Sequence, residues 1–165
     1  MSGRIISFAS IGPLVLAALA FAQNPRGTAE TTISGSKVTV EYGRPSLKGR
    51  DLLAEAPVGT VWRTGADQST TFTAGIDLNV GGVTIPKGAY SLFTKRTGDD
   101  TWSLVFNKQT GQWGTEHDAA QDFAEAPLEW AQADSGPEMF TIELEPSQLR
   151  LAWGKHVLTA PIHAK

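Results

Sequence analysis

Residues 101–108 read TWSLVFNK, with Trp102, Leu104 and Phe106 at every second position and Ser103 between the first two. A recurrence of two is the strand period, because successive side chains of an extended chain point to opposite faces. The same period continues on both sides of this stretch. Upstream, Val38, Val40 and Tyr42 share one phase, as do Thr70, Phe72, Ala74 and Ile76. Downstream, Phe140, Ile142 and Leu144 repeat it, followed by Leu149, Leu151 and Trp153. The residues between are mostly polar, as at Glu41, Thr71, Thr141 and Arg150, which suits sheets with one buried and one wet face.

Turn chemistry separates these runs at short intervals: Gly81 with Gly82, Thr97 to Asp100, Ser135 to Pro137, Pro146 with Ser147, and Gly154 with Lys155. Such spacing predicts an all-β fold, an antiparallel β-sandwich of about nine to eleven short strands with a jelly roll as one arrangement. Little helix is expected. The only helical turns foreseen lie within 47–55 and 115–123. A single domain over residues 31–163 is expected, preceded by a short polar linker at 23–30.

The chain opens MSGRIISFASIGPLVLAALAFAQ: one cation at Arg4, an apolar run from Ile5 to Ala20, then Ala20, Phe21 and Ala22. A charged region, an apolar region and a small-x-small site predict a signal peptide over residues 1–22, and hence an exported protein, periplasmic or secreted. An uncleaved anchor fits less well, because the run is shorter than the ~20 residues a span needs and holds Ser7, Ser10, Gly12 and Pro13. There is no cysteine, so neither lipid attachment after the leader nor disulfide stapling is available. Burial alone must hold the fold, and about 140 residues suffice to bury roughly two thirds of the unfolded surface.

Without Arg4 the remaining chain has 13 basic and 17 acidic residues, a net charge of −4. This balance argues against nucleic acid or an anionic membrane surface as partner. No transmembrane segment is expected after removal of the leader. The charge is also unevenly spread, since nine acids and no Lys or Arg lie between Gln109 and Gln148.

Against that acidic background stands a cationic block, YGRPSLKGR at 42–50 followed by VWRTGAD at 61–67. Gly43, Pro45, Gly49 and Gly65 favour irregular backbone, which puts Arg44, Arg50 and Arg63 on loops or strand ends. Arginine offers a planar fork that matches carboxylate or phosphate oxygens, and Trp62 adds a stacking surface. Two readings follow. In one, Arg44, Lys48, Arg50, Trp62 and Arg63, with Trp113 and Asp122, line a site for an anionic or polar ligand. In the other, the guanidiniums serve the fold, bound to loop carbonyls and to carboxylates such as Asp51, Asp67 or Asp122.

Trp102 and Trp153 alternate with Leu and Phe and read as core. Trp62, Trp113 and Trp130 stand beside charged residues or glycine, where aromatics either seal the ends of a sandwich or offer flat faces to sugars. A carbohydrate or an anionic small molecule is thus the kind of partner implied.

The ordered set YGRPSLKGR, VWRTGAD with Ser69 and Thr70 after it, IPKGAYSLFT at 85–94, TWSLVFNK, QWG at 112–114 and Asp122 resembles the bacterial family catalogued as domain of unknown function 2911. The resemblance runs from about Thr31 to Ile162. It implies an exported β-rich domain and carries no activity. The chain departs from the family pattern after Asp122, where Ala124, Glu125 and Ala126 replace an Arg-bearing strand. His117 also stands where an aromatic such as Tyr is usual, which argues against His117 as a ligand common to the family.

The catalytic inventory is short. There is no thiol, no G-x-S-x-G elbow, no H-E-x-x-H helix and no phosphate loop. His156 and His163 are seven residues apart and fall on opposite faces of a regular strand, so no metal site and no cofactor are expected. The segment EHDAAQD at 116–122 could turn His117 and Asp122 toward each other. Three functions therefore stand: non-enzymatic binding of a small molecule, glycan or peptide terminus; a structural or interaction domain; and a hydrolase of envelope glycans or esters using Asp118, Asp122 or His117. Oligomeric state is not specified by the sequence.

Overall fold

The computed structural model describes residues 23–165, and the leader expected at 1–22 lies outside them. Twelve strands run in chain order: β1 (Arg26–Ile33), β2 (Ser36–Gly43), β3 (Val61–Trp62), β4 (Thr70–Ala74), β5 (Leu78–Val80), β6 (Val83–Ile85), β7 (Gly88–Arg96), β8 (Trp102–Asn107), β9 (Asp122–Gln132), β10 (Thr141–Leu144), β11 (Gln148–Trp153) and β12 (His156–Ala164). One helical turn, α1 (Leu52–Glu55), and a 3-10 turn at Ala119–Gln121 complete the set, each inside a stretch where the sequence allows one. The number of strands exceeds nine to eleven because β3, β5 and β6 are only two or three residues long.

All twelve strands pair antiparallel in a single sheet of order β1-β2-β4-β7-β8-β9-β12-β11-β10, with β3 on β7, β5 on β12 and β6 on β5. The sheet curls until its two ends meet, so the two layers of the expected sandwich are opposite walls of one sheet. The inward phase of each strand fills the interior: Val38, Val40, Phe72, Leu104, Phe106 and Leu149 are fully buried, each contributing about 1.5–3 kcal/mol by burial. Trp102 and Trp153 belong to this core as their alternation predicts.

The linker expectation is corrected here. Residues 26–30 are the first part of β1, in register with β2 from Arg26 opposite Gly43 to Ile33 opposite Ser36. Ser34 and Gly35 join the strands with both φ angles positive, the geometry of a tight hairpin turn. Composition hides the strand because only Ala29 and Ile33 are buried apolar positions in it.

The ends of the sheet are tied by a short backbone bridge, with the Phe140 N–H donating to the Pro45 carbonyl at 2.9 Å and the Leu47 N–H to the Glu138 carbonyl at 3.0 Å, and by side chains. The Ile142 N–H donates to the Tyr42 hydroxyl at 2.9 Å, and that hydroxyl donates to the Ile142 carbonyl at 3.3 Å. Arg44 donates through Nε to the Phe140 carbonyl at 3.2 Å and through Nη2 to Thr141 Oγ1 at 3.0 Å. Gly43 lets the 61–70 segment lie directly on the end of β2, since a Cβ there would stand 2.0 Å from the Ala66 carbonyl oxygen.

Candidate functional site

β7 and β8 break the simple alternation. Residues 90–94 and all of β8 are buried, on both faces of the sheet. The inward phase is Leu92, Leu104 and Phe106. The outward phase holds Phe93 and Val105, which face each other across the ladder and stand apart from the interior core. What covers them is the segment between β8 and β9. It docks through the Gly114 N–H donating to the Asp67 carbonyl at 2.8 Å and the Ser69 N–H donating to the Gln112 carbonyl at 3.0 Å. Gln112 Oε1 accepts from Ser69 Oγ at 3.4 Å and Ser91 Oγ at 3.3 Å, while its buried Nε2 finds no acceptor among the described residues.

Between this segment and β3 lies a cavity of about 360 Å³ lined by Thr60, Val61, Trp62, Arg63, Phe93, Gly114, Thr115 and His117. Arg63 follows β3 in the outward phase, and its stem lies so close to Gly114 that a Cβ there would be 2.8 Å from Arg63 Cδ. Arg63 as a residue is partly buried, and its guanidinium makes no hydrogen bond or salt bridge among the described residues, although three Lys or Arg ion pairs form there.

The backbone that presents Arg63 is unusual. Thr64, fully buried, has φ 50°, Gly65 has φ 147° and Asp67 has φ 63°. A β-branched residue in the left-handed region is strained. Two contacts hold it there: Thr64 Oγ1 lies 2.7 Å from Thr94 Oγ1, and the Thr70 hydroxyl donates to the Thr64 carbonyl at 2.6 Å.

On the opposite side of the cavity, His117 rests over Phe93 with ring centroids 4.5 Å apart. Its Nε2 lies 2.9 and 3.1 Å from the two oxygens of Asp122. A carboxylate only accepts, so Nε2 carries the proton and Nδ1 is the remaining ring nitrogen. Asp122 is itself steadied by Asn107 Nδ2 at 2.8 Å, which also donates to the Asp118 carbonyl at 2.9 Å. A register shift between Phe106 and Asn107 sets Asn107 opposite Asp122, the use to which bulges are often put.

The candidates from the sequence thus separate. Trp62 and Arg63 line the cavity, and Asp122 reaches it through His117. Arg44 sits at the sheet seam, Lys48 and Arg50 are exposed on the loop before α1, and Trp113, 41% exposed, lies on the covering segment outside the lining. Arg50 Nε donates only to the nearby Leu47 carbonyl, at 3.4 Å.

The expected carboxylate partners of these arginines are corrected as well. Asp51 accepts from the Ala54 N–H and from His156, Asp67 accepts from Asn24 N at 2.7 Å and Nδ2 at 3.2 Å, and Asp122 serves His117 and Asn107. Nearby N–H groups have taken these oxygens. The acidic stretch likewise meets Lys95, through Glu125, and Arg150, through Glu143, and its carboxylate contact with the cationic block is to backbone, from the Lys48 N–H to Glu138 Oε1 at 2.8 Å. Asp118 caps the 3-10 turn through the Ala120 N–H. His156 and His163 fall on opposite faces of β12, one buried and one exposed, and among the described residues no cluster of three or more His, Asp or Glu could hold a metal.

The motifs that meet in this cavity, VWRTGAD and QWG, are among those that carry the family resemblance, and the family described as Protein of unknown function (DUF2911) matches residues 24–162. The chain belongs to the DUF2911 family. Comparison with curated proteins and with solved structures returns no match. For a DUF2911 member the match begins within the segment first read as linker, in agreement with the start of β1 at Arg26.

Sequence reasoning missed Phe93, Val105 and Thr64 as parts of this site. For the first two a signal existed: SLF at 91–93 and LVF at 104–106 each add an apolar residue out of phase, which marks a strand covered on its second face.

Proposed function

We propose that this DUF2911 domain is an exported binding module that takes up a polar, anionic small molecule, glycan or peptide terminus in the cavity between β3 and the segment before β9. One observation carries the reading: Arg63 is a partly buried residue whose guanidinium has no protein partner among the described residues, held by strained backbone at the edge of a cavity of about 360 Å³. A guanidinium that is fixed in place and left without a protein partner keeps its full donor fork for an anion. Thr115 supplies a hydroxyl for a further polar group, and Phe93 supplies a wall.

The test is a thermal-shift titration of the purified protein with acetate, citrate, phosphate and neutral sugars. At a hundredfold excess over Kd a ligand adds about 2.7 kcal/mol, so a carboxylate or phosphate should raise the melting temperature in proportion to the logarithm of its concentration above Kd. Arg63→Gln is expected to abolish that rise. If no anion stabilises the protein more than a neutral sugar at the same concentration, or the variant responds equally, the reading fails.

A second reading, hydrolysis of an ester or glycan, draws on the His117–Asp122 contact: an oriented imidazole with one free nitrogen beside a guanidinium is a base and an anion stabiliser in one cavity. Asp118 has no part in it because it caps a turn. Turnover of 4-nitrophenyl acetate that falls at least tenfold in Asp122→Asn would support it. A rate equal to that of free imidazole would end it.

A further inference from the structure

The two sides of β3 open on different cavities. Val61 and Arg63 face outward to the cavity just described, whereas Trp62 points inward, packed edge-on to Phe140 at 4.9 Å and stacked on Trp153 at 5.4 Å and 14°. On that inner side lies a second cavity of about 220 Å³. Its floor and walls are Trp62, Trp102 and Trp153, and its cover is Leu52, Leu53 and Ala56 from α1 and the residue after it. Thr60 contributes the only side-chain oxygen of the lining. The place is one end of the barrel, where β7 and β11 finish and β8 and β12 begin.

The cover is fastened entirely from outside this cavity. Asp51 accepts from the Ala54 N–H at 3.2 Å and from His156 Nε2 at 2.7 Å, and Arg96 Nη1 donates to the carbonyls of Ala54 at 3.1 Å and Ala56 at 2.6 Å. The polar groups that hold α1 in place are therefore satisfied without entering the cavity, and the surface turned inward is apolar.

We infer that this cavity is a second binding site, independent of Arg63, for a neutral ligand consisting of one aromatic ring with a small substituent. Volume, composition and charge each select that occupant. An apolar cavity of about 150 Å³ accommodates benzene, and drug-sized ligands need about 300–1,000 Å³; 220 Å³ lies between them. Three indoles offer faces and edges for stacked or edge-on aromatic contact. No charged side chain lines the space, so an ionic ligand would be stripped of water without compensation. The Thr60 hydroxyl can meet one hydrogen-bonding substituent. Barrel mouths are a common location for such sites.

The experiment is a ¹⁹F NMR titration of the purified protein with 4-fluorophenol at neutral pH, with toluene as competitor. Saturable broadening that toluene reverses is expected, together with magnetisation transfer between the probe and indole protons of Trp62 or Trp102. Ala56→Phe, which fills the cavity, is expected to weaken binding at least tenfold, and Arg63→Gln to leave it within twofold. The inference is overturned if 4-fluorophenol binds only non-saturably, if Ala56→Phe binds it as well as the parent, or if Arg63→Gln alone removes binding, which would seat the ring in the outer cavity. Should Ala56→Phe lose its near-ultraviolet circular dichroism, the transfer experiment on the parent protein decides, and no transfer to either indole overturns the inference.

Discussion

Arg44 and Arg63 come from the same cationic block, and replacing each by Met should separate a structural arginine from one kept for a ligand. Met preserves most of the aliphatic stem and removes only the charged fork. At Arg44 the change deletes the bonds to the Phe140 carbonyl and to Thr141 Oγ1. Hydrogen bonds to charged groups contribute about 1.5–3 kcal/mol each when buried. Arg44, like Arg63, is partly exposed, so water recovers part of that, and a loss of about 1–3 kcal/mol in total is expected. At roughly 2–4 °C per kcal/mol for a chain near this size, the melting temperature should fall by about 2–12 °C. At Arg63 no protein partner is abandoned, and the change should stay within about 0.5 kcal/mol. Urea unfolding followed by tryptophan fluorescence measures both, with an unchanged slope showing that stability and not the denatured state has moved. If Arg63→Met loses as much stability as Arg44→Met, Arg63 is a hub of the fold and the anion-site reasoning is wrong.

Two further changes probe the parts around the site. Trp130 Nε1 donates to His156 Nδ1 at 3.0 Å, so the ring proton sits on Nε2 and bonds Asp51 at 2.7 Å. His156→Leu strands both partners and should cost about 1–3 kcal/mol, with faster amide exchange at Ala54 in α1; unchanged exchange there would show that Asp51 holds the cover without His156. Burial, and secondarily the negative charge of Asp77, push the Tyr90 phenol above its ordinary value near 10. A raised folded-state value means that its contribution is complete below about pH 10 and is lost as pH rises through the higher folded value. Urea titrations at stepped alkaline pH should therefore show a shallower loss of stability in Tyr90→Phe than in the parent, and equal slopes would contradict the assignment.

What could be read from the sequence depended on how local the cause was. The strand period at Trp102, Leu104 and Phe106 is enforced by the pleat itself, so the all-β fold and the core tryptophans were legible. The meeting of His117 and Asp122 was also legible, because five residues with a turn between them can bring two side chains together. The division of the cationic block was not. Arg44 is a seam residue because Phe140 and Thr141, 96 and 97 residues away, come to the other end of the curled sheet. No local pattern encodes that pairing. The same holds for Asp51 and His156, 105 residues apart. β1 was hidden for a different reason: an edge strand with two buried apolar residues looks like a linker until its partner is known.

The strain beneath Arg63 argues that its position is a requirement and not an accident of loop closure. Glycine would take the left-handed conformation at position 64 without penalty, and the neighbouring glycine at 65 shows that the loop already uses that freedom. Threonine there costs on the order of 1–2 kcal/mol, offset by the Thr64–Thr94 hydroxyl contact and by the Thr70 hydroxyl on its carbonyl. The hydroxyl contact does what glycine cannot: it fixes the backbone one residue after Arg63, with Gly114 pressed on the arginine stem from the other side. A loop that only needed to connect β3 to β4 would gain stability by relaxing. One that must hold an unpaired guanidinium at the lip of a cavity, away from the seam where Arg44 is bonded, gains from staying strained.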